Sequence, residues 1–153
     1  MIILEGVKVI DRVQYKDNRG YFSETWKSFN WLIEDGLRGG FRQLNTAESK
    51  QNVLRGMHRQ DQTKLVMPIY GEIYDVVLNP ETREWFGIKL DNTKSLLVPP
   101  QYAHGYLVLS ETSIVQYIVD KPYNKQLEEN FKWNEYGIDW PIKQNIILSE
   151  KDS

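Results

Sequence analysis

The chain has 153 residues, of which 41% are hydrophobic and 26% charged; these are the values of one globular domain (1–153) and exclude a disordered or extended coiled-coil protein. A net charge of −2 supplies no general attraction to nucleic acid or to a membrane surface, so a bound anion must meet a local basic pocket. The absence of cysteine excludes disulfides, thiolate nucleophiles and Cys-based zinc sites. The first stretch, MIILEGVKVIDR, turns polar quickly and has no basic n-region, so it does not read as a signal peptide. No apolar run reaches membrane-spanning length, and a cytoplasmic location is expected.

In chain order, VKVIDRVQY alternates Val7, Val9 and Val13 with polar neighbours and reads as a strand closed by the turn KDNRG, with YFSETW as a candidate return strand. SFNWLIEDGLRGG is the best helix candidate: Ser28 or Asn30 can cap its start, and Gly36 or Gly39 can end it. From Phe41 onward come FRQLNT, VLRGMHRQ, KLVMPIY, EIYDVVLN, WFGIKL, SLLVPP, GYLVLS and SIVQYIVD, punctuated by Gly71 and the turns at Asn79 and Asp91. Short strands at this spacing, with no helix-length segment between them, predict an all-β sandwich or barrel. The tail after Asp120 is irregular but carries Tyr123, Phe131, Trp133 and Trp140, too much aromatic surface to leave in water, so it is expected to pack back on the body.

Only two histidines are present, His58 and His104, and a strand histidine taken alone is usually structural. On facing sheets of a sandwich the two could meet, which invites a metal hypothesis. A site of three His and one Glu cannot be built from them, and a two-His-carboxylate site stays open without a supporting HxH or HxxE spacing. In VLRGMHRQ, period-two alternation puts Leu54, Gly56, His58 and Gln60 on one face and Val53, Arg55, Met57 and Arg59 on the other. Neither face is purely apolar, so this strand is expected to line a cavity, with Arg59 turned outward. Tyr117 shares the inward face of Val115 and Val119, and a core tyrosine bonded to a neighbour is its commoner reading. Lys64 opens KLVMPIY, a position usually exposed.

The order of these residues changes that balance. NVLRGMHRQ, KLV, GEIYDVVLN, VPPQYAHGYLVLSE, VQY, NEYGIDWP and ILSEKD, with DNRGYFSET ahead of them, resemble the nucleotide-sugar 3,5-epimerase family typified by dTDP-4-dehydrorhamnose 3,5-epimerase, over almost the whole chain. The resemblance implies a cupin-type β jelly roll with one or two short helices, a homodimer, and epimerisation beside a 4-keto group of a nucleotide-diphosphate sugar without a cofactor or metal. It also implies roles. His58 is the base, Asp152 its orienting carboxylate, Tyr117 the opposing acid, and Lys64 the group at the 4-keto oxygen, with His104 in the same pocket. Arg19 and Arg55 match positions that hold the diphosphate or the sugar, and Glu24, Gln43, Asn45, Gln60 and Tyr123 complete the implied substrate-binding set. Arg59 stands where the family usually has an aromatic residue, and Pro122 precedes Tyr123 where many members have two tyrosines. A GDP-linked carrier, a 4-keto-heptose, C3-only epimerisation, 3,4-ketoisomerisation and a non-catalytic sugar-nucleotide-binding jelly roll therefore stay open as alternatives. A surface polysaccharide, lipopolysaccharide or capsule, is the expected use of the product.

Overall fold

Turn residues cut the chain into short strands, and β-branched and aromatic residues fill them. The computed structural model describes residues 4–27 and 40–153. The helix expected at SFNWLIEDGLRGG falls almost wholly on residues 28–39, outside the described ones. Twelve strands are present among the described residues: β1 (Lys8–Asp11), β2 (Tyr15–Asp17), β3 (Gly20–Phe22), β4 (Gln43–Lys50), β5 (Leu54–Arg59), β6 (Lys64–Tyr70), β7 (Ile73–Leu78), β8 (Trp85–Leu90), β9 (Lys94–Val98), β10 (Ala103–Val108), β11 (Thr112–Val119) and β12 (Glu129–Asn130). The helical content described is two 3-10 turns, Lys125–Leu127 and Glu150–Asp152.

The strands form two antiparallel five-stranded sheets, in the orders β1-β9-β6-β11-β4 and β12-β5-β10-β7-β8, with β2 and β3 as a separate hairpin. The strand pattern predicts a sandwich or barrel, and the arrangement is the jelly roll that the family resemblance implies. One apolar cluster draws from both sheets, Val66, Leu96 and Val115 from the first with Ile73, Val77 and Val108 from the second, and so fills the space between them. A second covers the outer side of the β5 sheet, where the irregular tail folds back and buries Ile138 and Trp140 against Leu54, Met57 and Leu107. The tail is also stitched to the body by backbone bonds: Leu54 N–H donates to Ile147 O at 3.0 Å and Ile147 N–H to Asn52 O at 2.9 Å.

The N-terminal region departs from the alternation read in VKVIDRVQY. Val7 is buried, but Val9 and Val13 are exposed, and the run breaks into β1 and β2 at Arg12. The cause is Arg12 itself, which turns inward and donates through Nη2 to the carbonyls of Pro68, Asp91 and Lys94 at 2.6, 2.9 and 3.0 Å. The return strand is also shorter than YFSETW, ending at Phe22.

Candidate active site

A cavity of about 420 Å³ opens inside the sandwich. Both sheets furnish it. From the β5 sheet come Arg55, His58, His104 and Tyr106; from the facing sheet come Asn45, Lys64 and Tyr117; the tail adds Tyr123, Glu128, Lys151 and Asp152.

Strict alternation separates Arg55 from His58, yet both line the cavity. The register shows why. His104 pairs with His58 and Tyr106 with Arg55, so two steps on β10 oppose three on β5 and the extra residue reverses the side-chain parity. Glycine makes the crossing sterically feasible: a Cβ on Gly56 would lie 2.5 Å from Gly105 Cα and 2.8 Å from His104 O, at φ +126°. Met57 then faces the tail cluster instead of the cavity. The same pairing overturns the idea that the two histidines face each other across the sandwich, because they are neighbours in one sheet. Among the described residues, no group of three or more His, Asp and Glu side chains is placed to hold a metal.

His58 Nε2 and Asp152 Oδ1 lie 2.5 Å apart, and Asp152 Oδ2 accepts the Gly56 N–H at 3.2 Å. Asp152 is buried, held by the 3-10 turn that ends the tail. The Asp152 carboxylate oxygen accepts a hydrogen bond from His58 Nε2–H, which leaves the neutral imidazole's lone pair on Nδ1. Burial lowers the His58 pKa and the Asp152 hydrogen bond and charge work against it; the net direction is down, so the ring is an unprotonated base at neutral pH.

Lys64, expected at an exposed strand start, instead lines the cavity, where burial pushes its ammonium down to about 8 against the pull of the Asp75 and Glu128 charges. His104 Nε2 is paired with Asp75, which is fully buried. Burial raises the Tyr117 phenol, opposed by Arg55, Lys151 and a hydrogen bond with Asn45, so the hydroxyl stays protonated and able to donate. Arg55 is held by Ser49, its Nε donating to Oγ at 2.9 Å. Gln60 lines the cavity, whereas Gln43 stands just behind it, donating to Asn45 Oδ1 at 2.8 Å and accepting the Tyr123 N–H at 3.2 Å.

Two expected binding residues are not brought in. Arg19 lies on the β2–β3 hairpin and pairs with Asp17, and Glu24 pairs with Lys27; neither lines the cavity. Arg59, expected to be exposed, is instead largely covered, its side chain 17% exposed and bridging Glu81 and Glu129 at 2.9 Å each. Glu128 and Lys151 are cavity residues that sequence reasoning passed over. Lys151 stood inside the quoted ILSEKD; Glu128 sits in the irregular tail with no periodicity to mark it.

A cavity whose two walls oppose a carboxylate-backed histidine and a protonated tyrosine, with a lysine of lowered pKa on the strand next to the tyrosine's, has the parts for moving protons on and off carbon. The family model of dTDP-4-dehydrorhamnose 3,5-epimerase matches residues 2–153. The chain belongs to that family. As a member of this epimerase family it is an isomerase with close relatives among archaea and bacteria. The dTDP-4-dehydrorhamnose 3,5-epimerase of Methanothermobacter thermautotrophicus is 40% identical over 97% of this chain and 88% of its own length. The Elizabethkingia anophelis enzyme of the same name superposes with a TM-score of 0.87 at 37% identity, covering 99% and 91% of the two chains. The Legionella pneumophila dTDP-6-deoxy-D-glucose-3,5-epimerase, solved with dTDP-4-keto-L-rhamnose, gives a TM-score of 0.91 at 31% identity, covering 97% and 86%. In this epimerase the two sheets carry His58, Lys64, His104 and Tyr117 into one cavity.

Proposed function

We propose that the protein epimerises a dTDP-linked 4-keto-6-deoxy sugar at C3 and C5, using His58 and Tyr117 as the proton-transfer pair and no cofactor. The observation that carries this is the placement of the pair on facing walls of one cavity: His58 on β5 and Tyr117 on β11. Inversion of a carbon requires a proton to leave one face and return to the other.

In the forward step the C–H bond next to the ketone breaks, its proton passes to His58 Nδ1, and the electron pair moves to the carbonyl oxygen as an enolate. The Lys64 ammonium stabilises that negative oxygen, the kind of preorganised charge that outweighs most other contributions in such reactions. Tyr117 then gives its hydroxyl proton to the opposite face of the carbon. C3 and C5 both flank C4, so one pair of groups serves both centres if the ring turns between steps. Asp152 keeps His58 in the reactive tautomer and offsets the imidazolium charge, and Arg55 is the cavity cation suited to the diphosphate or the sugar.

Arg19 and Glu24 fit this reading through a second copy of the chain. The β2–β3 hairpin that carries Arg19 exposes Tyr15, Tyr21 and Phe22 at 58%, 49% and 66%, apolar surface that a homodimer would cover. A light-scattering mass of twice 18.1 kDa is expected, and a single-chain mass would remove the dimer. A cytoplasmic site of action and a product destined for a surface polysaccharide are part of the same proposal.

The test is incubation in D₂O with dTDP-4-keto-6-deoxy-glucose and, separately, with a GDP-linked 4-keto-6-deoxy sugar, read by NMR. Deuterium at both C3 and C5 of the dTDP sugar is expected. Deuterium at C3 alone would restrict the reaction to one carbon, and preference for the GDP sugar would overturn the carrier.

A further inference from the structure

Proton transfer at carbon leaves His58 as an imidazolium and Tyr117 as a phenolate, and each must be reset before the next turnover. On the His58 Nε2 side the way out is closed by Asp152, which is buried. On the Nδ1 side stands a second carboxylate, Glu128, with Oε1 at 3.8 Å. Its side chain is only 7% exposed, and both oxygens are held: Oε1 accepts from Lys151 Nζ at 2.8 Å and Oε2 from the Tyr123 hydroxyl at 2.6 Å. Tyr123 and Lys151 line the same cavity and reach solvent, both about half exposed. The three residues thus connect the reactive nitrogen to the cavity mouth.

We propose that Glu128 is a positioning residue that resets His58, drawing the captured proton off Nδ1 and releasing it to solvent beside Tyr123 and Lys151. The inference rests on the reading of His58 as the base. The sequence balances: the substrate C–H proton becomes the Nδ1–H proton, the imidazolium N–H bond breaks as the Glu128 O–H bond forms, and the acid then gives the proton to water. Tyr117 recovers one proton from solvent, so no net proton is gained or lost. At 3.8 Å the contact is an ion pair and not a hydrogen bond, so Glu128 first stabilises the imidazolium by charge and takes the proton as the side chains close the gap.

The surroundings of Glu128 keep it ionised, so that it faces the imidazolium as a charge and passes a captured proton on to water readily. Burial pushes its pKa up, but the hydrogen bonds from Lys151 and Tyr123 and the nearby charges outweigh that effect, leaving it below the ordinary glutamate value. The groups that face His58 are Asp152 and Lys151 from the last 3-10 turn, Glu128 from the tail, and His104 across the β5–β10 ladder; Lys151 lowers the His58 pKa while Asp152 and Glu128 raise it.

The experiment compares wild type, Glu128→Gln and Glu128→Asp on dTDP-4-keto-6-deoxy-glucose deuterated at C5, in H₂O. In wild type, deuterium captured by His58 washes into solvent, so substrate recovered at partial conversion has lost label. In Glu128→Gln the captured deuterium is expected to return to the substrate. Label retention rises, kcat falls about tenfold or more, the acid limb of kcat/KM moves to lower pH, and added acetate restores part of the rate. Glu128→Asp keeps the carboxylate and recovers wild-type wash-out. Wild-type wash-out and an unmoved acid limb in Glu128→Gln, whatever its rate, would overturn the proposal. Absence of any exchange in wild type would instead remove the epimerase reading on which it rests.

Discussion

Lys64 shows at the level of one residue how function and stability pull apart. Its ammonium is held at about 8 in the folded protein against the ordinary 10.5, and the gap corresponds to at most ~3 kcal/mol of disfavoured charge. The sign follows from proton counts. Between about 8 and 10.5 the unfolded chain binds the proton that the folded protein has released, so stability rises with pH through that window, and the penalty stands in full below it. Lys64→Met is therefore expected to be more stable than wild type at pH 7 by about 1–3 kcal/mol, with the advantage fading toward pH 10.5. Its kcat should fall about 100-fold or more, because the enolate loses its counter-charge. Urea unfolding at pH 7 and pH 10 with parallel kinetics checks this, and a Lys64→Met variant less stable at pH 7 contradicts it. In wild type the same groups bound the pH profile: the acid limb of kcat/KM lies below the ordinary histidine value, and the basic limb lies near 8 as Lys64 loses its charge.

At the scale of an element, β5 decides whether the site assembles. Its extra residue opposite β10 brings Arg55 and His58 to the same side, and the close approach of Gly56 to Gly105 leaves no room for a side chain. Gly56→Ala should cost about 3 kcal/mol or more, since the clash is with backbone atoms and the φ of +126° is unfavourable for alanine. Thermal unfolding measures it, and a change within about 0.5 kcal/mol would contradict the packing argument. The strand itself was legible from its residues, bounded by Asn52 and Asp61; its parity was not. Alternation assumes an unbroken ladder, whereas a bulge is set by which residues of the partner strand it meets. The broken first strand has a similar origin, because Arg12 leaves the β1 ladder for three carbonyls that belong to distant segments.

For the whole molecule, regular strand spacing and the lack of intervening helices were enough to read a sandwich or barrel, the motif resemblance narrowed it to a jelly roll, and the aromatic tail was enough to read its return to the body. Strand spacing does not say which strands share a sheet, so a meeting of the two histidines across the sandwich stayed open, whereas they lie side by side in one sheet. His58, Lys64, His104, Tyr117 and Asp152, which the motif resemblance singles out, line one cavity, but the resemblance carried no signal for Glu128, which reaches the site through the path of the tail. The measurement that tests the account most directly is deuterium incorporation from D₂O into dTDP-4-keto-6-deoxy-glucose by His58→Asn and Tyr117→Phe beside wild type. No exchange at C3 or C5 is expected with His58→Asn, and with Tyr117→Phe exchange without inversion, because the proton can leave to His58 but has no donor on the other face. Exchange and inversion at wild-type rates in both variants would contradict it.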